Sequence, residues 1–346
     1  DAREIAVRKP NDAISCRELL IIDEISMVRA DLLDNIDEIL KIWRKTDEPF
    51  GGIQVLAVGD LFQLPPILKD GTEAEIFNSR YKSTWFFDAH VFDYVSISGV
   101  NLETTYRQKD ERFVEALDNL RVGRELEDTV DWLNGRCLKE SAEIDSTVTL
   151  TGTNKAADIY NQRKFDSLKG EEVIYPGKFD GKFEMARNNL PAPQQLKLKV
   201  GAQVMVTRNQ PAAANGTICQ VVELDAKKIQ LERVDDGNHF VLRRAKWEQI
   251  EYSLSPNKYQ IEAAVSGVYT QFPLTLGWAI TIHKSQGLTI ESILLDLGRR
   301  GFASGQAYVG LSRCPSVDNV ALARPLHSQD VIVDPVATQF MSKLFN

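Results

Sequence analysis

The stretch "LLIIDEISMV", residues 19–28, decides how this chain folds. A short, continuous aliphatic run ends in two adjacent carboxylates, Asp23 and Glu24, which reads as a fully buried strand closed by acids. The next segment, "MVRADLLDNIDEILKIWRK", places apolar residues at 28, 32, 33, 36, 39, 40 and 43, a helical spacing. "IQVLAVGD", residues 53–60, is a second strand of the same buried type, ending in Gly-Asp. Strand, helix and strand in this order predict a parallel α/β sheet, with ligands at the carboxyl ends of the strands, where both acid motifs fall.

Working outward, a second α/β block starts near residue 101. "DERFVEALDNLRVG" is an amphipathic helix closed by Gly123, and "TVTLTGTNKAADIYNQRKFDSL" is a strand, a turn and a helix, with Asn154 as its expected N-cap. From about 201 to 270 short runs of β-type residues alternate with turn signals such as Asn215-Gly216 and Asp235-Asp236-Gly237-Asn238. That texture predicts a small β-barrel or strongly bent sheet inserted into the second block. "LTLGWAITIHKSQG" and "ESILLDLG" then return to the α/β pattern. The division expected is 1–100 for the first block, 101–208 and 272–346 for the two parts of the second, and 209–271 for the insert.

Composition narrows the class. A chain of 346 residues with 43% hydrophobic and 26% charged residues can build two or three cores. It holds no apolar run of about 18 residues, so no membrane span is expected. The polar start, DAREIAVRKPND, has no signal-peptide pattern. Cys16, Cys137, Cys219 and Cys314 lie too far apart for a zinc motif and suit a reducing cytoplasm. A net charge of -8 argues against a surface coated in basic residues, though not against a basic groove on an acidic body.

Five segments carry chemistry. Magnesium takes oxygen ligands and keeps several waters, so one carboxylate of the Asp23–Glu24 pair can hold it. The other can orient or deprotonate an attacking water; the same two residues also fit a strand that simply ends at the surface. In "VGDLFQLPPI", Gln63 follows the strand end on a loop stiffened by Pro65 and Pro66, placed to sense a γ-phosphate, or else part of an ordinary loop. "TTYRQKDERF" sets Arg107 and Gln108 ahead of a helix. A guanidinium there is either a surface charge or a stabiliser of a transferring phosphoryl group. "WAITIHKSQGLT" runs a strand into His283, Lys284, Ser285, Gln286 and Gly287, a donor cluster suited to the phosphates of a nucleotide or a nucleic-acid backbone. It is not a phosphate loop, because no G-x-x-x-x-G leads into the lysine. In "GQAYVGLSRC", Arg313 follows a short helical segment that can aim it into a cleft.

Taken together and in this order, the five segments resemble the PIF-type (petite integration frequency) DNA helicases, a branch of helicase superfamily one related to RecD. "LLIIDEISMV" resembles that family's second helicase motif, "VLAVGDLFQLPPI" the third and "YRQKDERFVEALDNLRVG" the fourth. "WAITIHKSQGLT" resembles the fifth and "AYVGLSR" the sixth. "GAQVMVTRN…NGT" resembles the start of a small inserted barrel akin to a Src-homology-three fold. The likeness runs from about residue 19 to 325. It implies an α/β chain of two RecA-like parallel-sheet domains, the first incomplete at its N-terminus, with the barrel inserted in the second. It implies an ATP-dependent enzyme moving 5′-to-3′ on single-stranded DNA and opening forked duplexes and G-quadruplexes, with ATP and Mg2+ as cofactors. Asp23 would hold the metal, Glu24 would be the catalytic base, and Gln63 would couple nucleotide state to DNA. Arg107 and Arg313 would be arginine fingers. Gln108, Gln286 and Gly287 would lie near the nucleotide, with Asn154, Thr281, His283 and Lys284 on the DNA side. Bases would stack on aromatic residues with little sequence preference, Phe62, Trp247 and Tyr252 being candidates. A monomer in a bacterial or phage-type cytoplasm is expected.

The chain departs from the family in one respect. The phosphate-cradling loop is absent from these residues, and the Gly-Lys pairs at 177–178 and 181–182 are each followed by Phe. The expectation is a C-terminal part of a longer protein, and a poor ATPase by itself. The competing readings are a non-catalytic nucleic-acid-binding remnant and an RNA-directed member of the superfamily.

Overall fold

The computed structural model describes residues 17–68, 71–138, 148–183, 190–254 and 261–345, and the side chains of these except residues 251–254 and 261–263. Cys16 therefore lies outside it, and the side chain of Tyr252 is not described. Cys137, Cys219 and Cys314 are buried.

In the first block, β1 (Leu19–Ile22) pairs in parallel with β2 (Gln54–Ala57), Leu20 facing Val55. The connection carries α1 (Ala30–Arg44), which buries Ala30, Leu33, Asp37 and Leu40 at helical spacing. The buried Asp37 is compensated by the Lys41 ammonium at 2.7 Å and by the Phe50 amide. A short α2 (Thr72–Asn78) follows. Ile25, Leu33, Leu40, Ile53, Trp85 and Phe86 are among the residues that form the core. The strands themselves differ from expectation. Both were expected to be fully buried, but Leu19, Ile21 and Leu56 are about half exposed, at 46%, 58% and 48%. Side chains alternate across a sheet, and among the described residues only one face of this two-stranded ladder is covered.

The second block begins with α3 (Glu111–Val122) and α4 (Leu126–Cys137). Asp110 caps α3 by accepting from the Phe113 amide at 2.8 Å, and the helix closes at Gly123 as expected. Next come β3 (Val148–Thr151) and α5 (Asn154–Ser167). The N-cap is one residue earlier than expected. Thr153 accepts from the Ala156 amide at 3.2 Å, which makes Asn154 the first helical residue and leaves its side chain exposed.

The β-rich region contains β4 (Val173–Pro176), β5 (Lys178–Gly181), β6 (Gln195–Leu198), β7 (Gln203–Val206) and β8 (Ile218–Leu224). It continues with β9 (Lys228–Arg233), β10 (His239–Arg243), β11 (Ala245–Leu254), β12 (Ile261–Gln271) and β13 (Leu274–Leu276). A five-stranded antiparallel sheet runs β10-β9-β8-β7-β13, beside a three-stranded sheet β11-β12-β5 and the pair β4-β6. Tyr175, Leu196, Leu198, Val204, Leu231 and Phe272 share one core. This core therefore draws on residues from 175 onward, whereas the expected insert began at 209.

The chain then returns to the second block with β14 (Ala279–Thr281), β15 (Ile293–Asp296), α6 (Gln306–Ser312) and β16 (Val320–Leu322). These strands and β3 make a parallel sheet in the order β14-β3-β15-β16, covered by α3, α4 and α6. The last helix, α7 (Pro335–Phe345), was expected with residues 272–346 but packs on the first block. Ala337 is fully buried there, Phe340 stacks on Phe87 at 4.0 Å, and Asp334 accepts from the Trp85 indole at 3.1 Å. None of the described helices is long and apolar enough to cross a membrane.

Candidate nucleotide and nucleic-acid site

The acid pair stands where β1 ends. Asp23 is exposed and Glu24 half-buried, and the Asp23 carboxylate accepts from the Glu24 amide at 2.9 Å. Glu24 adopts a left-handed conformation, φ 49 and ψ 46. For a residue with a Cβ this costs on the order of 1–3 kcal/mol, so the turn is held by its surroundings: the Ile25 amide donates to Val58 at 2.9 Å and the Val58 amide to Ile22 at 2.8 Å. No group of three or more metal-ligating side chains occurs among the described residues. A Mg2+ ion at Asp23 would therefore complete its shell with phosphate oxygens and water, which is how this hard, reluctantly dehydrated cation is commonly held.

Two guanidinium groups of the second block lie together near this pair, Arg313 within electrostatic reach of Glu24 and Arg107 beside Arg313. Arg313, just past α6, is 3% exposed, and its contacts are the Val309 carbonyl at 3.1 Å and the Ser312 hydroxyl at 2.9 Å. Burial, and then repulsion from Arg107, pull its pKa down to about 10, against attraction from Glu24 and Asp60. Arg107 donates to the Ser312 carbonyl at 3.2 Å. Neither arginine has a carboxylate partner among the described residues. Gln108 is buried, and its amide nitrogen is taken up by the Ser312 and Cys314 carbonyls, each at 3.0 Å. It braces the end of α6, and so the backbone on either side of Arg313, instead of offering that donor to a nucleotide.

Gln63 and Gln286 meet across the blocks at 3.4 Å, and Gln286 Oε1 is buried without a partner among the described residues. Gly287 is exposed at φ 75 and ends the turn that follows His283–Ser285. β14 lies beside β3 with Thr281 opposite Thr151, so Asn154, His283 and Lys284, the residues expected on the nucleic-acid side, gather at one sheet edge. Lys284 and Asn154 are exposed. His283 is half-buried, and desolvation lowers its pKa and so favours the neutral imidazole. Thr281 differs from expectation: it is 5% exposed and its hydroxyl accepts from the Lys284 amide at 3.3 Å, so it shapes the loop from within. Phe62 is also turned inward, under the Arg121 guanidinium at 4.8 Å, and offers no free face for a base. Trp247 is half-buried against Tyr269.

A model described as PIF1-like helicase matches residues 6–131, and one described as the 2B domain of DNA helicase Pif1 matches residues 184–224. The ATP-dependent DNA helicase Pif1 of Bdellovibrio bacteriovorus is 31% identical over 331 residues, which span 93% of this chain and 70% of that protein. The chain belongs to the PIF1-like helicase family. The Danio rerio member is 34% identical over 88% of this chain, which spans only 46% of that protein's length. Among solved structures, Bacteroides sp Pif1 in complex with ADP-AlF4 is similar at a TM-score of 0.78 and 36% identity, covering 94% of this chain and 75% of that one. Bacteroides Pif1 bound to ssDNA is similar at a TM-score of 0.73.

One part of this PIF1-like site was missed by the sequence reasoning. The Asp60 carboxylate accepts from Arg121 on α3 at 3.1 and 3.2 Å, from the Tyr308 hydroxyl on α6 at 2.9 Å and from the Phe62 amide at 3.1 Å. Although desolvation alone would lower it, Asp60 holds the Arg121 pKa above its ordinary value. Burial, together with Asp60, pushes the Tyr308 hydroxyl up. Asp60 thus ties the end of β2 to two helices of the second block. The signal available was its place in "VGDLFQLPP"; its partners lie 61 and 248 residues away in the chain.

Proposed function

We propose that this chain supplies most of an ATP-dependent DNA helicase that moves 5′-to-3′ along single-stranded DNA. The observation that carries this reading is that buried Arg313 lies within electrostatic reach of Glu24 and of Arg107, and that neither arginine has a carboxylate partner among the described residues. A buried, unpaired guanidinium costs free energy unless an anion completes it, and a phosphoryl group between Arg107, Arg313 and the acid pair would do so. Glu24 would accept the proton of the attacking water, and Arg107 and Arg313 would stabilise charge on the transferring group. Asp23 would hold Mg2+, which neutralises phosphate charge when bound. Gln63, touching Gln286, would report nucleotide state to the loop bearing His283 and Lys284. The β-rich insert would act as a small barrel domain beside the strand, and the working unit would be a monomer acting on forked duplex and G-quadruplex DNA. The similar proteins named ATP-dependent DNA helicases support this reading.

Residues 1–346 contain no G-x-x-x-x-G-K-S/T loop. Without its backbone N–H groups and lysine, grip on the β- and γ-phosphates is weak. The expected result for this chain alone is therefore binding to oligo-dT, stronger than to oligo-rU, with little or no ATP turnover. Steady-state hydrolysis with and without single-stranded DNA, beside Glu24→Gln, tests it. Robust turnover that vanishes in Glu24→Gln would contradict the weak phosphate grip; a preference for oligo-rU would overturn the DNA assignment.

A further inference from the structure

The loop between β15 and α6, residues 297–305, is unusually well fixed for a segment whose tip faces solvent. Arg324 donates to the Gly298 carbonyl at 2.6 Å and pairs with Asp330 through two contacts of 2.7 Å. The 3%-exposed Asp330 in turn accepts from the Gly301 amide at 3.1 Å. The Phe302 and Ala303 amides both donate to the buried Gln306 carboxamide, at 3.0 and 3.3 Å, and the Gly305 amide donates to Ile332 at 2.9 Å. Yet this braced backbone displays Arg299, Arg300 and Phe302 outward. Phe302 is 60% exposed, and neither arginine has a hydrogen bond or ion pair among the described residues.

The ring is also placed. A Cβ on Gly152 would come within 2.7 Å of Phe302 Cε1, so the ring rests against glycine backbone in a place that a side chain could take only by displacing it. Gly152 lies between the end of β3 and Asn154, and β3 neighbours β14, from which His283 and Lys284 emerge. A lone exposed aromatic needs no explanation. One seated on glycine, held by a braced loop, flanked by two unpaired arginines and next to the nucleic-acid edge does.

We propose that Phe302 is a base-stacking platform for single-stranded DNA crossing the second block, with Arg299 and Arg300 neutralising the adjoining phosphates. This rests on the reading of the chain as a single-stranded DNA translocase and adds a contact to its path. Bases stack on aromatic rings regardless of sequence, and a ring fixed in advance gives up little entropy on binding.

The test is fluorescence anisotropy of labelled oligo-dT with the wild-type chain, Phe302→Ala, Phe302→Leu and Phe302→Tyr. Expected is about tenfold weaker binding for the alanine and leucine variants, equal to about 1.4 kcal/mol, with tyrosine close to wild type. Leucine keeps an apolar side chain against Gly152 and lacks only the π face, so its loss cannot be assigned to misfolding. On an oligonucleotide of abasic sugars all four proteins should bind alike. Arg299→Gln with Arg300→Gln should flatten the salt dependence by roughly 1.4 in log–log slope. If the wild type binds no single-stranded DNA, the translocase reading and the platform both fall. If the wild type binds and the alanine and leucine variants match it, or lose equally on the abasic strand, the platform alone falls.

Discussion

A guanidinium at 3% exposure with no carboxylate partner among the described residues raises the free energy of the folded chain. Arg313 has its pKa drawn down to about 10, below that of the unfolded chain. The unfolded state therefore holds the proton more tightly. The penalty is present at all pH values below about 10 and fades as pH rises above it. Arg313→Met keeps the volume and removes the charge, so at pH 7 its urea midpoint is expected to rise by the equivalent of about 1 kcal/mol or more. A midpoint that falls by a similar amount would mean that Arg313 is compensated inside the protein and does not await an anion. The residue's identity was legible in "AYVGLSR", but its burial and its repulsion by Arg107, 206 positions away, were not.

Elements set how closely the two blocks approach. The start of α6 lies against the loop after β2: a Cβ at Gly305 would stand 2.6 Å from the Phe62 carbonyl oxygen and 2.8 Å from that of Gln63. Gly305 also has φ +75, a conformation that side chains with a Cβ resist. Gly305→Ala is expected to push α6 off this loop, break the Tyr308–Asp60 bond and lower stability by about 1–3 kcal/mol. Thermal unfolding measures the loss. An unchanged transition would show that the contact is not held tightly in solution. Element types were readable from periodicity: α3 is a helix that closes at Gly123, as the sequence predicted. Offsets of one residue were not, because Thr153 and Asn154 are both acceptable caps and only the backbone turn after β3 selects Thr153.

Across the whole molecule, the chain crosses back to where it began. α7 closes the core of the first block, with Phe340 flat on Phe87 and edge-on to Phe86 at 6.1 Å. Phe340→Ala should therefore lower the stability of the whole chain by about 2 kcal/mol. Hydrogen exchange is expected to quicken in α1 and around Trp85, not in the sheet β14-β3-β15-β16; quickening confined to the latter would contradict the docking of α7. Together with Asp60, this crossing means that the blocks are joined by at least two separate sets of contacts.

Local order in the sequence determined the parallel α/β character, the strand ends bearing Asp23–Glu24 and His283–Lys284, and the helix that follows Arg107. Each depends on hydrophobic period or on a motif whose chemistry is carried by neighbouring residues. Only the tertiary structure decided that Asp60 reaches Arg121 and Tyr308, that Thr281 and Phe62 turn inward, that the β core draws on residues from 175 onward, and that α7 belongs with the first core. Those outcomes depend on which surfaces meet, and burial is shared between residues distant in the chain, so no window of local sequence contains it.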